Sequence, residues 1–226
     1  DGDFVAVAFD SYHDLRTGFG FIVNAAGVKN DFIWSNDGQM EDDTWDPIWF
    51  TKTEMYSWGW AAELRIPLTQ LRFRISDGGI WGLEVFRELF RNQEMSVWQL
   101  IDRNASGMIH NFGEMTGLTG IKPRKQADIT PFVVGSFESF EKEEGNPFAT
   151  GLNRKFNGGL DAKFGITNNM TLDLTVNPDF GQVEADPSVV NLTAFETFFE
   201  EKRPFFIEGK NITSFKVGIG DGDIGY

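Results

Sequence analysis

The sequence predicts an all-β chain: an antiparallel, jelly-roll-like β-sandwich followed by an amphipathic hairpin of the kind that both half-buried sheets and membrane barrels contain. Three observations carry that expectation. Short apolar segments recur at intervals of roughly ten residues with Gly, Asp and Asn between them, which is the punctuation of a sandwich. Two neighbouring segments, LDAKFGI and MTLDLTV, alternate strictly between apolar and polar residues across a Thr167-Asn168-Asn169 break, as a hairpin with one apolar and one polar face does. All seven tryptophans lie before residue 99, so the two parts of the 226-residue chain differ in composition and in expected role.

Taken in order, Phe4 to Phe9 and Phe19 to Val23 read as two strands joined by SYHDLRTG, with the next turn at Asn24 to Gly27. Asn36 to Asp46 reads as an acidic loop. Asp37, Glu41, Asp42 and Asp43 are candidate ligands there for a hard cation such as calcium, which takes several oxygens from such loops. The spacing lacks the closing glutamate of a calcium loop, and a solvated acidic turn is the commoner use of such residues. Trp60, Ala62, Leu64 and Ile66 alternate with Ala61, Glu63 and Arg65, the clearest strand of the first half, and Pro67 ends it. Ile80 to Phe90 and Ser96 to Ile101 follow as strands. Gly117 to Lys125, rich in glycine and bases, reads as a linker between a first domain over 1–120 and a second over 127–226.

In the second part, Ile129 to Phe140 is a strand, and the hairpin comes after it, with Leu160, Ala162, Phe164 and Ile166 matched by Met170, Leu172, Leu174 and Val176. Asn177 to Val190 is rich in Pro, Asp and Gly and reads as irregular. Asn191 to Lys202 is the one helix of any length, with Leu192, Phe195, Phe198 and Phe199 at helical spacing.

A net charge of −14 argues against nucleic-acid binding, which needs a basic surface. No run reaches the roughly 20 apolar residues of a membrane-spanning helix, so a spanning role would fall to strands. With no cysteine, no G-x-S-x-G, no H-E-x-x-H and only His13 and His110 as imidazole bases, nucleophilic or metal-assisted catalysis lacks a signature, and the expectation is a noncatalytic protein without a cofactor. Binding has better candidates. Trp45, Trp49, Trp58 and Trp98 lie at or near expected turns, where a ring can stack on a sugar while a neighbour such as Arg87 bonds its hydroxyls. Core packing is the commoner fate of any single tryptophan. Arg87, Glu88, Arg91 and Glu94 read in the first place as exposed ion pairs on a strand edge.

Two stretches go beyond pattern. VAVAFDSYHDLRTGFGFIVNAAGVKND, WDPIWF and GWAAELRIPLTQLRF together resemble the later part of a carbohydrate-binding module family 9-like domain. VNPDFGQVEADPSVVNLTAFETFFEEKRPFFIEG resembles the opening of the outer-membrane barrel of domain-of-unknown-function family 5916, in which the two domains occur together. The resemblance implies a sandwich facing the periplasm or the cell surface, joined to a barrel in a Gram-negative outer membrane, in a protein longer than this chain, with the first strands of the sandwich lying outside it. The implied partners are a glycan or oligosaccharide and outer-membrane lipid. Two other roles stay open: a structural or transport component whose sandwich plugs the barrel or docks outer-membrane protein partners, and a glycoside-processing enzyme.

Overall fold

A computed structural model describes residues 2–74, 78–102, 104–122, 125–142, 145, 151–167, 170–179, 201–209, 216–218 and 223–225. The chain divides into two compact units, one of Asp1–Lys125 with Asn211–Tyr226 and one of Gln126–Lys210. Among the described residues every strand pairing is antiparallel.

The first unit is built on a seven-stranded sheet. Its strands are β1 (Phe4–Asp10), β2 (Gly18–Asn24), β3 (Lys29–Ser35), β4 (Met40–Asp42), β7 (Trp81–Leu89), β8 (Glu94–Val97) and β9 (Gly113–Met115). They lie in the order β4-β3-β2-β1-β7-β8, with β9 also on β7. The hairpin of β5 (Phe50–Tyr56) and β6 (Gly59–Arg65) supplies a second layer. The alternation of β2 sends Phe19, Phe21 and Val23 to one side of the sheet, where they bury with Trp49, Leu71, Phe73 and Trp81 under Ala62 and Leu64 of β6. This is the sandwich core. Phe21 meets Trp49 at 5.3 Å between ring centroids, edge to face, the geometry aromatic quadrupoles favour.

Several connections are held by single side chains. Buried Asp10 accepts the amide protons of Asp14 and Leu15 and so shapes the β1–β2 loop. Asn24 accepts from the amides of Ala26 and Val28, closing the next turn. Fully buried Glu84 accepts from the amides of Trp98 and Gln99. Those bonds draw the chain out of the ladder, so the strand expected over Ser96 to Ile101 occupies Glu94–Val97 instead. The acidic stretch Asn36 to Asp46 is not wholly a loop either, because β4 lies within it and pairs Glu41 with Trp34.

The second unit is a three-stranded sheet, β10 (Ala127–Ser139), β11 (Leu152–Thr167) and β12 (Met170–Val176), in that order. The expected hairpin is β11–β12, with Ala162 opposite Leu174 and Phe164 opposite Leu172. Pro131 lies within β10, tolerated because β10 is an edge strand of this sheet. A single helical turn, α1 (Pro204–Ile207), follows. The helix expected over Asn191 to Lys202 lies outside the described residues except for Glu201 and Lys202, which are not helical. β13 (Lys216–Gly218) and β14 (Asp223–Gly225) pair with each other.

Candidate binding cavity and an exposed apolar sheet

The seven-stranded sheet has a second face, and there β2 presents Gly18 and Gly20 in place of side chains. In register across from them stand Trp34 and Phe32 of β3. Space left by the glycines is filled by those rings: a Cβ on Gly20 would lie 2.0 Å from Cζ of Phe32. Phe32 and Trp34 are tilted together at 4.4 Å, and Trp34 meets Phe86 of β7 edge to face at 5.7 Å. The sequence pattern G-x-G opposite F-x-W thus lays an aromatic floor flat on the sheet.

Above that floor is a cavity of about 590 Å³, within the range typical of small-molecule sites. Met95, Val97, Ile101 and Met108 wall it, and Asp37, Gln39, Glu41, Asp102 and Ser106 stand among its polar lining. Trp34 donates its indole Nε1–H to Glu41 at 2.8 Å, which fixes the ring's rotation. Rings below and carbonyl, amide and carboxylate oxygens around suit a ligand with an apolar face and hydroxyl donors at its edges.

The rim is latched at Asp37, whose backbone is left-handed (φ 61°). Its carboxylate accepts from the His110 amide at 3.1 Å and lies 2.6 Å from His110 Nδ1, while its carbonyl accepts from the Met108 amide. Gln39 donates to the Ser106 carbonyl at 2.7 Å. Partial desolvation pushes the Asp37 carboxyl up, but the His110 amide and ring bonds and the imidazole's charge outweigh it, and the group sits below the ordinary aspartate range.

The tryptophans singled out from the sequence separate by environment. Trp49 is 2% exposed, donates to Asp31 at 2.7 Å and carries the Lys29 ammonium over its ring, so it is a core residue and not a stacking platform. Trp45 packs edge to face on Phe19 and Phe21 at 5.2 and 5.7 Å, half-buried. Trp58 is 74% exposed at the tip of the β5–β6 hairpin and stacks flat on Tyr56, 5.0 Å away. Trp98 is 54% exposed, and Arg87 is exposed on β7 opposite Ser96. None of these five lines the cavity.

Of the four acidic candidates for calcium, Asp37 and Glu41 both line this cavity. Asp37 is engaged by His110, Glu41 by Trp34, and Asp42 by the Thr44 hydroxyl and amide. Among the described residues no group of three or more His, Asp or Glu side chains could hold a metal ion. What pattern reading missed is the aromatic floor. Its signal is the pairing of the Gly18-x-Gly20 motif with Phe32-x-Trp34, visible only once β2 and β3 are put in register.

The three-stranded sheet carries the second unusual surface. Its register lines up Ala127, Phe164 and Leu172, then Ile129, Ala162 and Leu174, then Pro131, Leu160 and Val176 on one face, continued by Val133, Phe156 and Phe137. That apolar face is open: Val133 is 83% and Phe156 71% exposed. Phe137 and Phe156 pack edge to face at 5.5 Å. The opposite face carries Asp128, Lys163 and Asp173 in one row and Thr130, Asp161 and Thr175 in the next, with Thr175 donating to Asp161 at 2.6 Å. Ser136 and Lys155, then Glu138 and Asn153, continue it, with Phe132 and Val134 as its apolar members.

No curated protein and no solved structure matches the chain. Residues 126–218, spanning this three-stranded sheet, match the family described as Domain of unknown function (DUF5916).

Proposed function

We propose that this chain belongs to a Gram-negative outer-membrane protein in which β10–β12 open a transmembrane β-barrel and the sandwich holds a glycan in its aromatic-floored cavity. The observation that carries the proposal is the sheet of β10–β12, whose apolar residues are open to the surroundings while its opposite face is mostly charged or polar. A soluble domain rarely exposes so continuous an apolar surface. Membrane barrels alternate in this way, apolar to lipid and polar to lumen. The 13 residues of β10 reach about 44 Å when extended, more than a tilted strand needs to cross the hydrocarbon core. Arg154, on the apolar face opposite Phe137, lies near the end of that band, where a guanidinium reaches headgroups.

Spin labels test the membrane reading, and because the sequence has no cysteine each introduced thiol is unique within it. In vesicles, labels at Val133→Cys and Phe156→Cys are expected to be relaxed by oxygen, and those at Ser136→Cys and Asn153→Cys by an aqueous nickel chelate. Equal access of the chelate to all four would sink the reading.

Glycan binding is supported by the cavity's composition and by the sequence's likeness to the family 9 binding modules. Calorimetry with a panel of oligosaccharides is expected to show heat that Trp34→Ala abolishes and Trp58→Ala leaves. Loss with Trp58→Ala alone would move the site to the hairpin tip. That tip supports the second reading, a docking surface for outer-membrane protein partners, because Met55, Tyr56 and Trp58 are all exposed there. Under that reading, subunits co-purify with wild type and dissociate in Trp58→Ala.

A further inference from the structure

The cavity over the Phe32–Trp34 floor is lopsided in what it offers a ligand. Among the described residues that line it there is no Lys, Arg or His, whereas Asp37, Glu41 and Asp102 all contribute carboxylates. The imbalance extends from charge to hydrogen bonding.

Its donors are largely spent within the protein. Trp34 gives its indole N–H to Glu41 Oε2 at 2.8 Å, and Gln39 gives one amide proton to the Ser106 carbonyl at 2.7 Å. The backbone amides of Asp37, Gly38, Ala105 and Met108 donate to carbonyls of the chain. Among the lining side chains, the donors left over are the Ser106 hydroxyl and the second Gln39 proton.

Acceptors are in surplus. Both Asp37 oxygens are engaged by His110, and Asp102 Oδ1 accepts from the Asn104 amide at 2.8 Å. With Oε2 of Glu41 held by Trp34, Oε1 of Glu41 and Oδ2 of Asp102 stand outside these bonds. Glu41 and Asp102 are both exposed, so their charge is presented to a ligand without any opening of the fold.

A space lined by carboxylates and short of donors repels anions, and it gives the carbonyl of an acetamido group little to bond to. An ammonium group fits it on each count. It carries donors and no acceptor, its charge is opposite, and it is attracted to the face of an indole such as Trp34 in the same lining. We propose that the cavity selects amino sugars whose amine is free and protonated, with Glu41 and Asp102 receiving the ammonium. The inference rests on the glycan reading of this cavity and narrows it to one class of glycan.

Calorimetry on the full chain tests it with trimers of glucose, N-acetylglucosamine and glucosamine in one and the same linkage. They differ only in the group on the second carbon of each ring: hydroxyl, acetamide or ammonium. The glucosamine trimer is expected to bind more tightly than the glucose trimer by about tenfold or more, the worth of one charge-assisted hydrogen bond. Glu41→Gln and Asp102→Asn remove the charges yet keep an oxygen to accept from Trp34 and from the Asn104 amide. In the double variant the ratio of the two dissociation constants is expected to fall to about one, since the charge that set it is gone. A glucosamine trimer that binds no better than the other two would overturn the selection and leave the glycan reading standing. A ratio that survives in the double variant would overturn the assignment to Glu41 and Asp102. Heat from none of the three would remove the glycan reading, and this inference with it.

Discussion

The sandwich and the three-stranded sheet use the same two-residue alternation and do opposite things with it. On β2 the alternate residues Phe19, Phe21 and Val23 are buried, because Trp49 and the β5–β6 hairpin lie over them. On β10 and β11 the alternate residues Ile129, Val133, Phe137 and Phe156 are exposed. Alternation alone therefore reports that a sheet has two unlike faces. Which face is dry depends on whether a second layer arrives to cover it. A unit that brings its own second layer folds around its rings, whereas a unit that leaves them open depends on what surrounds it.

The contrast breaks most visibly in the core. Trp49→Ala should cost the sandwich about 3 to 5 kcal/mol, since it opens a cavity and strands the Asp31 carboxylate, and denaturant unfolding of that unit reads it. Next comes Val133→Arg, which in a bilayer should destabilise the second unit by about 2 to 4 kcal/mol if the site lies near midplane, and leave sandwich unfolding unchanged. A sandwich that weakened alongside would mean that the apolar face packs against protein. Gly20→Ala should cost about 1 to 3 kcal/mol by forcing the Phe32 ring off the sheet, and should abolish ligand heat in calorimetry.

Acid should loosen the cavity rim before the core. Asp37 has its carboxyl pKa lowered in the fold, so its contribution is fully present above the ordinary aspartate value of about 3.9 and is lost as pH falls through the lower folded-state value. The protection of the His110 amide, its exchange rate relative to the intrinsic rate at the same pH, is expected to fall across that interval in wild type and to be low and independent of pH in Asp37→Asn. The smallest effect belongs to Trp58→Ala, within about 0.5 kcal/mol of wild type in sandwich unfolding, because an exposed ring at a hairpin tip has little burial to lose.

Alternation made β6, β11 and β12 legible, whereas β1, β2, β7 and β10 could be read as apolar segments set between turn-prone residues. β5 was not legible, because FTKTEMY turns Thr51 and Thr53 inward and Phe50, Lys52 and Glu54 outward, an inversion of the usual contrast. β4 was hidden by its charge, since Glu41 and Asp42 look like loop residues until Glu41 is placed beside the Trp34 indole. Among tryptophans, composition is silent on environment: Trp49 and Trp58 both follow turn-prone residues, and only the packing around each tells core from tip. The cavity was least legible of all. Its floor needs Gly20 and Phe32, twelve positions apart and adjacent only through the β2–β3 register.

One consequence of the β11 register concerns growth of the second sheet. β12 covers β11 only over Leu160–Thr167, and no described strand lies beside Leu152–Gly159 on the side away from β10. The sheet thus has a stepped border, with β11 running on past the end of β12 and the Asn177 side-chain amide donating to the Gly158 carbonyl there. In the barrel proposed above, a strand pairing with β11 beyond β12 would be offset along it, and offsets of that kind are what set the slant of strands against a cylinder axis.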